Sequence, residues 1–216
     1  MISLFIKRQF GILERNITLL VLNFLYVFLW GLTSGKLERT GFAIIFSLIV
    51  IVATSAVKEH FSKLYYYSAA AVVLFWISFF LELEFVMLLS HFFSVLFFIV
   101  VVVLALIRLA RAKKITPLEF LEAVNIYFFL GIIGSILFTS VYLTNGEAFN
   151  TPVPLHAPSS LIYFSFVTLT SLGYGDISPV SPVARSISIF LSFSGQIYIA
   201  MIISMLVGKY LNEKSS

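Results

Sequence analysis

Residues Thr168-Leu169-Thr170-Ser171-Leu172-Gly173-Tyr174-Gly175-Asp176 form the stretch whose types and spacing point most directly to a chemistry. It is a chemistry of the backbone. A cation leaving water needs oxygen ligands that replace its hydration shell, and a chain whose successive carbonyls turn to one side can line a narrow tube with them. Turning alternate peptides requires backbone angles that are costly for residues with a Cβ, so Gly173 and Gly175 stand where that penalty is absent. The carbonyls of Ser171, Leu172, Gly173 and Tyr174 would then face the ion. Leu172 and Tyr174 would point away and pack against the helix that precedes them. At about 3.3 Å per residue of extended chain, stacked oxygen rings lie roughly one dehydrated ion apart.

The elements that must hold such a stretch are set by composition. The 216 residues are 60% hydrophobic, 17% aromatic and only 11% charged, with a mean hydropathy of +1.05. Soluble domains carry charge on about a quarter of their residues, so this is an integral membrane protein. The absence of cysteine removes disulfides, thiolate metal sites and a thiol nucleophile. No nucleophile, base or metal constellation supports an enzyme, and no cofactor is implied beyond the ion itself. The net charge of +4 resides in cations beside hydrophobic runs, where they orient helices, so nucleic acid is not an expected partner.

Apolar runs near the ~20 residues that cross a ~30 Å hydrocarbon layer occur at 17–32, 41–57, 65–81, 85–107, 124–143 and 183–207. Before the first, residues 1–16 mix apolar and basic types as in a helix lying in the headgroup region. Between the fifth and sixth, the turn pair Asn145-Gly146 and Pro152, Pro154 and Pro158 precede a short apolar stretch that ends in the glycine motif. It is too short to span twice, so it re-enters, as irregular backbone at membrane depth does only around a cavity or within protein. Counting Lys and Arg by alternate sides gives eleven with the termini and three opposite (Lys36, Arg39, Arg185), which makes both termini cytoplasmic. Thr116 and Pro117 open a short amphipathic helix on the inner surface. That helix divides the chain into residues 1–114 and 115–216.

The motif resembles the selectivity filter of potassium channels, and the chain as a whole looks like a bacterial six-helix potassium channel lacking gating charges. Residue-level likeness runs from about Leu155 to Gly208. The resemblance implies an all-α membrane protein with six transmembrane helices, a re-entrant pore helix and a filter, in which 1–114 form an interfacial helix plus four peripheral helices and 115–216 a linker helix plus pore domain. It implies a homotetramer in a lipid bilayer, in a prokaryotic plasma membrane, conducting K+ passively. The filter would be Thr170, Ser171, Leu172, Gly173, Tyr174, Gly175 and Asp176, with K+ held by the carbonyls of Ser171 to Tyr174 and the Ser171 hydroxyl. The family usually has threonine and valine at Ser171 and Leu172, and a non-selective monovalent cation channel is the alternative reading. Tyr163 falls where relatives carry an aromatic donor to the aspartate here numbered Asp176. Val167 falls where some carry a buried glutamate, so the Tyr163–Asp176 bond alone would brace the outer mouth, and Tyr163, Val167 and Thr168 are the expected filter support. Gly195, twenty residues past Gly175, matches a hinge glycine of the inner helix or lets the fifth helix approach through Gly131, Gly134 and Ser135. Gln196, Ile199, Ile203 and Val207 would then face the cavity and gate.

Voltage-gated relatives carry a cation at every third residue of the fourth helix, whereas residues 85–107 contain none. Each charge crossing the field contributes roughly 2.3 kcal/mol per 100 mV, so weak or absent voltage dependence is expected. His91, inside the fourth helix, and His156, in the outer loop, are candidate proton sensors, with a packing histidine the more ordinary reading. The sequon Asn16-Ile17-Thr18 falls on the cytoplasmic side. The opening stimulus is not encoded, which leaves room for a separate regulatory subunit.

Overall fold

The computed structural model describes residues 2–29, 36–57, 64–112, 116–151 and 158–214, with side chains at 11–29, 37–57, 64–112, 116–151, 159–205 and 208. Seven helices follow in order: α1 (Ile2–Phe28), α2 (Lys36–Val57), α3 (Leu64–Leu81), α4 (Glu84–Arg111), α5 (Pro117–Thr144), α6 (Pro158–Leu169) and α7 (Pro182–Lys214). Two short strands, β1 (Phe149–Asn150) and β2 (Ser178–Pro179), flank α6. Among the described residues six helices are long and apolar enough to cross a membrane. At 1.5 Å per residue, the twelve residues of α6 reach about 18 Å, half of that thickness.

Two helices begin earlier than hydropathy predicts. Residues 2–16 are not a separate interfacial helix; α1 continues through them, because adding a turn to an existing helix is far easier than nucleating a new one. The expected linker helix is likewise the first turns of α5. Thr116 caps it, accepting from the Leu118 N–H at 3.3 Å, while Glu119 Oε2 accepts the Thr116 N–H at 2.8 Å. Pro117, at the first helical position, gives up no hydrogen bond there.

One hydrophobic cluster joins α1, α2, α4 and α5 through Leu19, Ile49, Phe98 and Phe129, and Tyr198 extends it to α7. The expected boundary at 114/115 lies outside the described residues. Polar seams run through this core. Asn125 Nδ2 on α5 donates to the Asn16 carbonyl and its Oδ1 accepts from Asn23, both at 3.0 Å, so α1 is pinned to α5. Asn16 is itself buried, its amide donating to the Ile12 carbonyl. Arg108 on α4 reaches Glu122 on α5 at 2.7 Å and donates to the Ala56 carbonyl of α2 at 2.9 Å. A second cluster, with Phe138, Phe149, Phe164, Leu169 and Leu191, surrounds α6.

The Arg108–Glu122 pair is the buried electrostatic link between peripheral and central helices, with the Glu122 side chain only 3% exposed. Removing one partner strands a charge in a low-dielectric setting, at a cost of about 3–5 kcal/mol for a fully buried pair and less here because Arg108 is partly exposed. Glu122→Ala should therefore lower the thermal midpoint of the purified protein clearly. Glu82→Ala, which breaks the exposed Arg39–Glu82 pair, should change stability by no more than about 1 kcal/mol. Equal shifts for the two would contradict this ranking.

Candidate functional site

Small residues bring α6 into the bundle. A Cβ at Gly131 would lie 2.3 Å from the Phe166 ring, and one at Gly134 would lie 2.4 Å from Ser165 Oγ. The glycines of α5 thus make room for α6, and Ser165 Oγ donates to the Gly131 carbonyl at 2.7 Å. Gly195 serves the same end from α7. A Cβ there would meet the Leu169 carbonyl oxygen at 2.1 Å, so its close neighbour is the end of α6 rather than the expected fifth helix. Helix α7 runs unbroken through Gly195.

The start of α6 is held from a distant element. Glu38, in the first turn of α2, is 5% exposed and accepts a hydrogen bond from Ser159 Oγ at 2.7 Å. A carboxylate at a helix N-terminus is favourably placed against the helix dipole. Sequence reasoning missed this residue, since 121 positions separate the partners and no local pattern links them.

At the other end of α6 the chain reverses into the glycine motif. The N–H groups of Ser171, Leu172 and Gly173 return to the helix, donating to Thr168, Val167 and Val167 carbonyls at 3.0, 3.0 and 3.4 Å. No peptide is cis. In a trans peptide the carbonyl points opposite to its N–H, so the carbonyls of Thr170, Ser171 and Leu172 point away from α6. Positive φ recurs at every second residue, +57° at Ser171, +58° at Gly173 and +79° at Gly175. For Ser171 this left-handed geometry costs roughly 1–2 kcal/mol. Its hydroxyl lies 2.8 Å from Ser192 Oγ and accepts from Gln196 Nε2 at 3.0 Å, contacts that offset the strain and tie the motif to α7. Ser192 is a second residue that the sequence did not single out. Thr170 Oγ1 donates to the Phe166 carbonyl at 2.7 Å.

Beyond the glycines, Tyr163 Oη donates to Asp176 Oδ2 at 2.7 Å. That bond pushes the Tyr163 phenol up to about 12, keeping it a neutral donor. Asp176 Oδ1 also accepts the Ile177 N–H at 3.0 Å. Tyr163 is not a lone brace, in contrast to expectation. Strands β1 and β2 pair Phe149 with Pro179 and Asn150 with Ser178, Val180 N–H donates to the Ala148 carbonyl at 2.8 Å, and Arg185 Nε reaches the Pro179 carbonyl at 3.2 Å.

Leu172 and Tyr174 do not pack on α6 as expected; they are 55% and 66% exposed. One chain offers too little surface to cover both. A groove of about 700 Å³ lies beside the motif, lined by Val167, Thr168, Gly173, Ser192 and Gln196 among others. Gln196, Ile199 and Ile203 are exposed along α7. The Val207 side chain, His156 and Leu155 lie outside the described residues. His91 Nδ1 lies 3.0 Å from Ser140 Oγ and away from the glycine motif. Among the described residues no group of three or more His, Asp or Glu could hold a metal ion.

Residues 126–212 match a family model described as "Ion channel", a segment that runs from α5 through α6 and the glycine motif into α7. The chain is also similar to a rice (Oryza sativa subsp. japonica) protein named two pore potassium channel c, 30% identical over 90 residues that cover 38% of this chain and 20% of that protein. A second relative, Arabidopsis thaliana two-pore potassium channel 1, is 33% identical over 86 residues, covering 37% and 23%. The chain thus spans about a fifth of the length of these relatives. No solved structure matches it. By similarity residues 126–212 resemble an ion-channel segment, within a chain whose described residues hold six helices long and apolar enough to cross a membrane.

Tyr163→Phe keeps the ring and removes the bond to Asp176. A hydrogen bond to a charged group contributes about 1.5–3 kcal/mol when buried, less at this exposed position, so single-channel recordings should show open dwell times shortened several-fold. Unchanged dwell times would show that the bond does not hold the motif in shape.

Proposed function

We propose that four copies of this chain surround one pore and conduct K+ selectively and passively across a plasma membrane, with both termini cytoplasmic. The observation that carries the reading is the set of three N–H bonds from Ser171, Leu172 and Gly173 back to α6, which leaves the adjoining carbonyls free to replace water around an ion. One such wall cannot enclose a cation. Fourfold rotation closes the ring, and a heterologous contact repeated four times needs a protruding surface on one side and a recess on the other. Exposed Leu172 and Tyr174 and the groove beside the motif supply both. Potassium is favoured by the glycine-tyrosine-glycine order and by the names of the plant relatives.

The second reading, a non-selective monovalent cation channel, draws on Ser171. A serine at the inner end of the filter lacks the methyl group that would fix its rotamer, and here its hydroxyl is engaged by Ser192 and Gln196. Potassium selectivity is retained in the reading we favour, because ring spacing is set by the backbone. The inner site carries altered occupancy or block.

Helix α4 supplies no voltage sensor. Its basic residues are Arg108 and Arg111 in the last turn, and Arg108 is fixed by Glu122 and the Ala56 carbonyl. Purified protein in planar bilayers should give a reversal potential near the potassium equilibrium value in mixed potassium and sodium, with conductance nearly flat against voltage. Near-equal permeability would favour the non-selective reading, and a steep sigmoid would contradict the absence of a sensor.

A further inference from the structure

A cavity of about 220 Å³ lies within the helix bundle, away from the filter, with walls drawn from α1 through α6. Apolar cavities of about 150 Å³ hold benzene, so this one is large enough for a substituted ring. Spaces between bundle helices with aromatic walls and a few convergent polar groups are characteristic ligand sites. Phe42, Phe46, Phe75 and Phe79 form much of the wall.

The polar groups on the wall decide which ligand fits. Its charged lining residue is Arg39, and that charge is engaged: Nη1 lies 2.7 Å from Glu82 Oε1, Nη2 donates to the Phe79 carbonyl at 3.4 Å, and the guanidinium sits 4.9 Å over the Phe79 ring. Three of the five lining hydroxyls, all but those of Tyr26 and Ser94, have used their one proton on backbone. Ser78 donates to Phe75, Ser135 to Ile132 and Thr139 to Ser135, all at 2.8 Å. His91 follows the same logic. Ser140 Oγ lies 2.8 Å from the Ile136 carbonyl and 3.0 Å from His91 Nδ1, and with the Ser140 proton on that carbonyl the tautomer that fits carries its proton on Nδ1. A neutral imidazole protonated at Nδ1 leaves Nε2 as an acceptor.

The wall therefore offers more hydrogen-bond acceptors than free donors, the donors being the Tyr26 and Ser94 hydroxyls. A carboxylate or phosphate, itself only an acceptor, would find too few donors for its charge in an apolar enclosure, which is costly. A cation would meet the Arg39 guanidinium at the rim. We propose that this cavity binds a neutral, hydroxyl-bearing hydrophobe of the phenol or medium-chain alcohol class, which donates to the acceptors on the wall and buries its apolar body among the phenylalanines. Ile162 of α6 lines the cavity, one residue before Tyr163 and its bond to Asp176. Occupancy thereby acts on the element that carries the filter.

The probe is 4-ethylphenol, compared with 4-ethylanisole, which has nearly the same shape but no donor. Binding to the purified full-length protein is followed by saturation-transfer NMR, a readout independent of conduction. The phenol should bind at least tenfold more tightly than the ether. Ser94→Phe, which fills the cavity from α4, should abolish binding, and His91→Phe should bring phenol affinity down to that of the ether. Equal binding of phenol and ether overturns the assignment, as does undiminished phenol binding by Ser94→Phe. Should Ser94→Phe fail to fold, Ala43→Leu narrows the same cavity from α2 and decides by the same criterion. Binding that proceeds as expected in a protein that conducts no potassium would leave the site in place and remove only the reading of the pore.

Discussion

The terminal carbonyls of an α-helix have no partners within the helix, and at the end of α6 that deficit organises the site. Val167 and Thr168 offer their carbonyls to the returning chain, and the N–H groups of Ser171, Leu172 and Gly173 take them. The exchange satisfies the helix and at the same time orients three peptide planes. The oxygens that result lie on the side away from α6, the arrangement that the proposed ion ligation would need. Alternating positive φ at 171, 173 and 175 is the backbone consequence. Two of the three positions are glycine, and the third, serine, is held by side-chain contacts to α7.

Because the motif takes its direction from α6, the bundle must fix that helix in place. Glycines on α5 and α7 admit it closely, Glu38 ties its first turn to α2, and the paired strands secure the chain that leaves the motif. The peripheral helices are therefore more than a lipid-facing sheath. Through Arg108–Glu122, the Asn16–Asn23–Asn125 seam and the Glu38–Ser159 bond they reach α5 and α6 at several levels of the bundle. Such contacts tie the first four helices mechanically to α6.

Much of this organisation was legible in the sequence, for identifiable reasons. Six spans follow from composition, since about 20 apolar residues in a row have few other fates. The glycine motif is legible because the backbone requirement falls on residue types that can meet it. Helix starts were less so: at 2–16 and 116–123 apolar and polar residues mix, and whether they form separate surface helices or extend a span depends on continuity that periodicity does not record. Glu38, Ser192 and the two-residue strands carry no local signal. Gly195 showed that something must come close, but its partner, the Leu169 carbonyl, emerges only from packing. Leu172 and Tyr174 fall furthest from expectation, because within one chain α6 leaves both exposed.

The most direct test is a density map of the assembled protein in high potassium at a resolution that separates individual carbonyls. The account predicts four chains about one axis, the oxygens of Ser171, Leu172, Gly173 and Tyr174 turned toward it, and ion density between successive rings. Carbonyls rotated away from the axis under conducting conditions, or an axis empty of ions, would contradict it.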